Sequence, residues 1–411
     1  MSKLAVNGGT PVRTKPLGVP WPECDDREIE AVAEVIRSRQ WGGTPGTVVR
    51  EFEKEMAVFC GAKYAICLTN GTAAIEVALR AVGVEAGDEV IVSPYTFIAT
   101  ASAPAMIGAI PVFVDIEPGT GNMDPELIEA AITERTKAIV PVHIYGRPAN
   151  MDGIMDVARR HGLKVVEDAC QAQGSEWRGQ RVGTFGDAGA ISHQNSKAVN
   201  CGEGGTIVTN DEDVYLRCYS LVNIGRVPDG EFYQHEYIGS NYRLSNIQAA
   251  IARVQLSRWA DQSKRRSENG AYLNSLMQEI DGISTMDEDE RITFHIRWIH
   301  DFRYHPERLG GVPRARFREA LAAEGVGCGN VYKPLYRNGL FKRFSAHLAA
   351  RATPGTRVID YASLALPVVE NFCDNEDVTL GYTALLGTRQ DMDDIAEAVR
   401  KISEHRDELQ N

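Results

Sequence analysis

Short apolar segments alternate with longer segments of helical periodicity along the first half of the chain, and this alternation restricts the fold more than any other feature. Several apolar segments are continuous in valine and isoleucine, which is typical of strands buried on both faces. The segments predicted to be strands are residues 63–69, 88–94, 110–116, 137–146, 163–169, 187–193 and 204–210. Because helices separate these strands, we expect an α/β large domain with a mostly parallel seven-stranded sheet sandwiched by helices.

The alternation weakens near residue 255, where a long helical segment that begins near Leu244 continues onward. A chain of 411 residues is too long for one compact core. We therefore predict a large domain at 1–255 and a smaller C-terminal α+β domain at 256–411, on which roughly the first 25 residues pack. In the smaller domain, residues 292–304 are predicted to form a strand, and 313–325 and 391–405 are predicted helices.

The charge and the cysteines argue against several classes of partner. The formal net charge is -12, from 44 basic and 56 acidic residues, and this balance disfavours nucleic acid. None of the eight cysteines belongs to a C-x-x-C pair, so buried free thiols are favoured over disulfides or a zinc site. The chain has no apolar run of transmembrane length and no signal-peptide core at its start. We expect a cytoplasmic protein that does not span a membrane.

Polar residues follow several predicted strands, at the edge where open parallel sheets bind ligands. Asn70-Gly71-Thr72 begins a helix whose amide groups and dipole suit a phosphate, with the Thr72 hydroxyl as a further donor. The same three residues also make an ordinary turn and helix cap. Asp168 ends a buried strand, where a carboxylate needs a cation or a strong donor. A ligand could supply that partner, and so could an arginine or a capped turn.

A lysine and an aromatic residue follow two other strands. Lys197 lies between two predicted strands, where a partly desolvated amine could act as a nucleophile or a base, although a surface lysine is the common alternative. The glycines after it, Gly204 and Gly205, suit either a close approach to a ligand or a turn. Phe97 or Tyr95 could stack on a planar ring or belong to the core.

These four groups together match one cofactor. A phosphate cradle, a carboxylate that keeps a ring nitrogen protonated, an aromatic stacking partner and a lysine nucleophile are what pyridoxal 5′-phosphate requires. The sequence lacks the G-x-G-x-x-G pattern of a dinucleotide site and the G-x-x-x-x-G-K-[ST] pattern of a nucleotide P-loop. Three histidines, His295, His300 and His305, are spaced like ordinary strand residues, so no metal site is predicted.

The chain resembles the DegT/StrS-type sugar aminotransferases, which are fold-type I enzymes dependent on pyridoxal phosphate, almost from end to end. The blocks that carry the resemblance include "CLTNGTAAIEVALRAVG", "EVIVSPYTFIATASA", "GAIPVFVDIEPGTGNMDP", "VVEDACQAQGS", "SHQNSKAVNCGEGGTIVTND" and "IGSNYRLSNIQAAI". The resemblance implies a homodimer with shared active sites. It also implies transfer of an amino group from glutamate or glutamine to a nucleotide-linked keto-sugar or to a keto-cyclitol.

The resemblance assigns roles to individual residues. Lys197 matches the lysine that bonds covalently to the cofactor, and Asp168 matches the partner of the pyridine nitrogen. Phe97 matches the residue stacked on the ring, and Gln171 the one near its phenolic oxygen. The phosphate is assigned to Gly71, Thr72 and Ser192, with Asn241 contributed by the partner subunit.

Two positions depart from the commonest pattern of the family. Ser192-His193-Gln194 stands where many members have Ser-Phe-His, and Gln194 matches the subgroup of scyllo-inosose aminotransferases and aminohydroxybenzoate synthase. The histidine that usually precedes "PL" in the small domain is absent from "NVYKPLYRNGLF". His193, Gln194 and Tyr336 are the candidate substrate contacts.

Two alternatives to transamination are a dehydratase and a non-catalytic regulator. An aromatising dehydratase of the aminohydroxybenzoate type keeps the lysine, whereas sugar 3-dehydrases of this family have histidine at the position of Lys197. A non-catalytic regulator would need no intact site, and the negative charge of this chain disfavours a regulator that binds DNA. The sequence therefore favours transamination.

Overall fold

The computed structural model describes residues 3–43, 47–228, 230–231, 233–329, 331–351 and 357–410. Its strands are β1 (Tyr64–Leu68), β2 (Glu89–Val92), β3 (Ile110–Phe113), β4 (Thr136–Val140), β5 (Lys164–Asp168), β6 (Glu176–Trp177), β7 (Gln180–Arg181), β8 (Ala188–Ser192), β9 (Gly205–Thr209), β10 (Ile283–Thr285), β11 (Ile292–Phe294), β12 (Asp301–Tyr304) and β13 (Asp377–Thr379). Its helices are α1 (Asp26–Ser38), α2 (Thr47–Cys60), α3 (Gly71–Ala81), α4 (Ala99–Met106), α5 (Ile128–Ala131), α6 (Met151–His161), α7 (Glu212–Val222), α8 (Asn246–Met277), α9 (Arg314–Ala323), α10 (Gly339–Arg351), α11 (Pro367–Asn371) and α12 (Arg389–Glu404).

The seven predicted strands form one sheet in the order β1-β9-β8-β5-β4-β2-β3. All neighbours in this sheet are parallel except β9, which runs antiparallel to both β1 and β8. Most strand residues are fully buried, because helices cover the sheet. The α/β fold with a mostly parallel seven-stranded sheet is confirmed.

The antiparallel direction of β9 determines where the lysine lies. β5 pairs with β8 in parallel, so both strands end at the same edge, and β9 begins at that edge because it runs the opposite way. Residues 193–204 therefore connect β8 to β9 as a loop at the carboxyl edge of the sheet. We call this segment the lysine loop, because it carries Lys197.

The predicted single strand over residues 292–304 is wrong. β11 pairs with β6 in one small sheet, whereas β12 lies between β10 and β13 in another. The chain leaves the extended conformation between them, and Arg297 has a positive φ of 49°. The intervening Ile296 and Trp298 are buried against the core of the large sheet, so the apolar run continues where the strand does not.

Two buried apolar clusters organise the chain. One surrounds the large sheet and also includes residues from 335–373, such as Tyr336 and Phe341. The other lies among α8, α9, α12 and the β10-β12-β13 sheet, and Leu4 is fully buried in it. α8, which has a capping box at Ser245, runs without a break across residue 255, so the division at 255 stays a prediction. Among the described residues, no helix is long and apolar enough to cross a membrane.

Candidate active site

A cavity of about 790 Å³ opens at the carboxyl edge of the sheet, beside the lysine loop. Strand ends, the start of α3 and two distant segments of the chain form its walls. The sequence-predicted residues that line it are Gly71, Thr72, Phe97, Asp168, Gln171, Ser192, Gln194 and Lys197. The folded chain therefore brings together in one cavity residues that are spread over more than a hundred positions in the sequence.

The start of α3 forms one end of the cavity. The Asn70 side chain caps the helix by accepting a hydrogen bond from the Ala73 N–H at 2.8 Å. The amide groups of Gly71 and Thr72 then have no partner within the helix, as in any first helical turn. A Cβ atom at Gly71 would lie only 2.8 Å from Ser192 Cβ. Glycine thus lets the helix approach β8 so closely that two N–H groups and the hydroxyls of Thr72 and Ser192 face one region.

Asp168 is the last residue of β5, at the same edge of the sheet as Ser192, and only 4% of its surface is exposed. Its Oδ2 accepts a hydrogen bond from the Thr100 hydroxyl at 2.7 Å, and its Oδ1 accepts one from the Cys170 N–H at 3.2 Å. No arginine pairs with it among the described residues. The carboxylate is therefore held in a fixed direction by two neutral donors, an arrangement that suits a cationic partner in the cavity.

Lys197 points from the lysine loop into the same cavity. Burial lowers the pKa of its amine to about 8, because a buried ammonium loses its hydration, while Cys170 and Asp168 act in the opposite direction. Nζ lies 3.7 Å from the ring centroid of Trp298. With a pKa about 8, roughly a tenth of the amine is neutral at pH 7, far more than for an exposed lysine. The alternative of a surface lysine is excluded.

Gln173 closes the lysine loop from behind. Its Nε2 donates to the carbonyls of Ser192 and Val199, at 2.8 Å and 3.0 Å, and its Oε1 accepts from the Val199 N–H at 2.7 Å. One buried amide thereby joins the residue before the loop to Val199 within it. Within the loop, the Lys197 N–H donates to the Gln194 carbonyl at 2.8 Å. The lysine backbone is therefore fixed on both sides.

Phe97 and Gln171 contribute an aromatic and a polar side chain to the wall of the cavity. Phe97 is 55% exposed, although it lines the cavity, so its ring is available to a planar ligand. Gln171 is buried, and its Oε1 accepts the Tyr145 N–H at 2.9 Å, which leaves its Nε2 near the Tyr332 hydroxyl at 3.4 Å. Tyr95, the other aromatic candidate, is fully buried and donates to Asp377 at 2.5 Å, so it belongs to the core.

His193 and Tyr336 do not line the cavity, and their prediction as substrate contacts is corrected. His193 is fully buried, its Nε2 lies 2.7 Å from the Thr206 hydroxyl, and burial lowers its pKa to about 4. Tyr336 is 3% exposed and donates to Glu370 at 2.6 Å. Both side chains are occupied by packing and internal bonds, whereas Gln194 lines the cavity.

Asn241, the residue assigned to the partner subunit's phosphate site, is exposed and lies outside this cavity. Its contribution to a partner subunit's site stays a prediction. The three histidines singled out earlier do not form a metal site: His305 Nε2 lies 2.7 Å from the Ser284 hydroxyl, and the described part of the chain has no group of three potential ligands.

Sequence reasoning missed several residues of the cavity. Cys170 lines the cavity and lies two residues after Asp168, which was the available signal. Thr100 does not line the cavity, and only the fold brings its hydroxyl to Asp168. Trp298 and Tyr332 come from distant segments that carry no motif, and only the folded chain brings them to Lys197 and Gln171. They close the side of the cavity opposite the sheet.

The donors present fit pyridoxal 5′-phosphate. The α3 start and Ser192 offer neutral donors to a phosphate, the buried Asp168 carboxylate suits a protonated pyridine nitrogen, and Lys197 offers an amine between them. Gly71 also argues for this fit, since the cradle closes against Ser192 only without a side chain.

This sheet, with a buried lysine on the loop between its two antiparallel strands, defines a fold-type I transferase. The chain belongs to the DegT/DnrJ/EryC1/StrS aminotransferase family, whose profile matches residues 22–380, and it is an aminotransferase.

Individual relatives are similar to this chain over almost its full length. A putative L-glutamine:3-amino-2,3-dideoxy-scyllo-inosose aminotransferase of Streptoalloteichus tenebrarius is 40% identical, with 99% of both chains covered. The crystal structure of 3-amino-5-hydroxybenzoic acid synthase superposes with a TM-score of 0.82 at 31% identity, covering 95% of this chain and 99% of that one. A putative sugar aminotransferase from Streptococcus pneumoniae, described as its PMP form, has a TM-score of 0.82 at 26% identity, covering 95% and 99%.

Proposed function

We propose that this aminotransferase uses pyridoxal 5′-phosphate to transfer an amino group from L-glutamine or L-glutamate to a keto-cyclitol or a related keto-sugar. The observation that carries the proposal is the buried amine of Lys197, with a pKa about 8, in one cavity with the Asp168 carboxylate and the α3 cradle. The name of the Streptoalloteichus relative supports glutamine as the donor and an inosose as the acceptor.

The residues of the cavity divide the work of holding the cofactor. The amides of Gly71 and Thr72 and the hydroxyl of Ser192 bind the phosphate, Asp168 binds the ring nitrogen, and Phe97 covers the ring. When bound, the cofactor supplies an aldehyde that takes up the amino group and a ring that withdraws electrons. Asn241 of the partner subunit completes the phosphate site in a homodimer, which we place in the cytoplasm.

Lys197 moves the proton in both halves of the reaction. Its amine is neutral often enough near pH 7 to accept a proton from the α-carbon of the donor. The flexible side chain, anchored on a fixed backbone, then delivers the proton to the neighbouring carbon. The amide of Gln194, whose Oε1 accepts the Ser196 hydroxyl at 2.7 Å, presents its other end to the substrate.

The Gly71 cradle provides a direct test of the phosphate site. Gly71→Ala places a Cβ 2.8 Å from Ser192 Cβ, and such overpacking costs about 1–3 kcal/mol. We expect affinity for pyridoxal 5′-phosphate to fall roughly 5- to 150-fold, with little change for pyridoxal, which lacks the phosphate. Absorbance titration of the apoenzyme measures both. Gly339→Ala is the matched control, because nothing lies within 4 Å of its Cβ; equal losses for both ligands would contradict the assignment.

The activity itself is tested with the holoenzyme. L-Glutamine and L-glutamate are each added, and bleaching of the cofactor band shows whether the amino group is taken up. The aminated enzyme is then mixed with a panel of keto-cyclitols and keto-sugar nucleotides, and the amino products are identified by mass spectrometry. Amination of a keto-cyclitol supports the proposal. Loss of water to give an aromatic product would instead indicate a dehydratase, and a chain without any turnover or bleaching would indicate a regulator.

A further inference from the structure

Two indole groups hold the lysine loop at adjacent carbonyls. Trp21 Nε1 donates to the Asn195 carbonyl at 2.7 Å, and Trp298 Nε1 donates to the Ser196 carbonyl at 2.8 Å. Asn195 and Ser196 directly precede Lys197. One tryptophan comes from the N-terminal segment and the other from the connection between β11 and β12, so the loop is held from outside the large sheet.

Trp298 also touches the lysine side chain. Its ring centroid lies 3.7 Å from Lys197 Nζ, within the range of a cation–π contact. The indole is 6% exposed and lines the cavity beside the amine. A single residue therefore contacts both the backbone before the lysine and the amine at the end of its side chain.

A buried arginine fixes Trp298 in turn. Arg266, fully buried on α8, donates to the Trp298 carbonyl at 3.1 Å and to the Tyr382 carbonyl. Its guanidinium also lies 5.3 Å from the ring centroid of Trp21. Burial lowers the pKa of Arg266 to about 9. Burying a guanidinium costs free energy, so the hydrogen bonds that Arg266 donates must offset that cost. Trp21 and Trp298 are thus tied to one helix.

The geometry points to Trp298 as a positioning residue for Lys197, whose indole face stabilises and orients the protonated amine while its N–H fixes the backbone of the lysine loop. This inference rests on the proposed role of Lys197. It explains how the protonated amine can be stabilised although no carboxylate forms an ion pair with it among the described residues.

The other charged or titratable groups that face Lys197 are consistent with this role. The charge of Asp168 raises the pKa of Lys197, but the hydrogen bonds to its two oxygens come from the Thr100 hydroxyl and the Cys170 N–H and not from the amine. Cys170, whose thiol pKa burial raises well above its usual value, is neutral near pH 7. The quadrupole of an aromatic ring attracts the ammonium less strongly than a carboxylate at contact distance would. The ring can therefore stabilise the protonated amine of Lys197 and still allow the amine to release its proton to a substrate carbon.

The test uses two variants and the apoenzyme. Trp298→Leu removes the aromatic face and the N–H, whereas Trp298→Phe keeps a face and removes only the N–H. The pKa of Lys197 is measured from the pH dependence of its acylation by acetic anhydride, located by mass spectrometry. We expect Trp298→Leu to lower this pKa by about half a unit to one and a half units, and Trp298→Phe to change it by less.

Hydrogen exchange of residues 193–204 provides the second measurement. Both variants lose the bond to the Ser196 carbonyl, so both are expected to exchange faster in the lysine loop. Trp41→Leu is the control, because Trp41 is 54% exposed and lies outside the cavity. If the pKa of Lys197 is unchanged or raised in Trp298→Leu and equal to that in Trp298→Phe, the aromatic face of Trp298 does not stabilise the amine. If hydrogen exchange of the lysine loop is unchanged in both variants, the indole N–H does not fix the loop backbone.

Failure of this inference can be told from failure of the proposed function. Both measurements use apoenzyme and depend on no turnover. If borohydride reduction attaches the cofactor to Lys197, but the pKa of Lys197 does not change when Trp298 is replaced, only the positioning role is disproved. If Lys197 never carries the cofactor, the proposed function fails, whatever the response to Trp298.

Discussion

Replacing Lys197 by alanine is expected to reduce amino transfer by about 10³-fold or more, because we propose that one amine both anchors the cofactor and moves the proton. Lys197→Arg should be nearly as inactive, since a guanidinium keeps the charge but cannot give up its proton near neutral pH. The two variants together separate proton transfer from simple charge. Steady-state rates with the preferred donor provide the comparison.

The covalent anchor is checked independently of turnover. Borohydride reduction followed by peptide mapping should place the cofactor on the peptide that contains Lys197, and neither variant should carry it there. Lys63→Ala is a suitable control, because Lys63 is exposed and lies outside the cavity. Retention of more than a tenth of the activity by Lys197→Ala would contradict the assignment.

Replacing Asp168 by asparagine is expected to have the second largest effect. The amide keeps the shape of the side chain but loses the charge that, in the proposed function, holds a proton on the ring nitrogen. We expect turnover to fall by about 10²- to 10³-fold, which is the usual consequence of removing one aligned electrostatic group. Cofactor affinity should fall as well, by roughly 10- to 100-fold, because a charge-assisted hydrogen bond is lost.

Thr100 provides the matched control for Asp168. Its hydroxyl donates to Asp168 Oδ2 at 2.7 Å, so Thr100→Ser keeps the donor and should stay close to the unmodified enzyme. Thr100→Val removes the donor and should give a smaller loss than Asp168→Asn. Turnover and cofactor affinity, measured together, rank the variants. If Asp168→Asn stays within threefold of the unmodified enzyme, the carboxylate does not act on the ring.

The sheet could be predicted because its strands are short, apolar and separated by helices. The same physical argument predicted that Asp168 and Ser192 would meet, since parallel strands end at one edge. The run 292–304 misled the prediction, because its apolar residues are buried on both sides of a break at Arg297. Burial without regular backbone leaves no mark in the pattern of apolar residues.

Side-chain direction explains the mistakes at the site. Successive side chains of an extended strand point to opposite faces, and Ser192 and Gln194 face the cavity, so His193 faces the core and packs against Phe52 at a ring distance of 5.3 Å. That alternation was available in the sequence. Tyr336 and Trp298 differ, because each depends on how a distant segment folds back onto the large sheet.

The two tryptophan bonds have a consequence for protein engineering. Residues 64–209 contain the entire central sheet and most of the cofactor contacts, so they look like a unit that could be exchanged between relatives. Trp21 and Trp298 nevertheless secure the carbonyls beside the lysine from either side of that unit. In a chimaera that exchanged the sheet alone, the lysine loop would come from one relative and the two tryptophans that bind it would come from the other. The smallest transplantable active site of this enzyme therefore extends from the N-terminal segment to beyond β11.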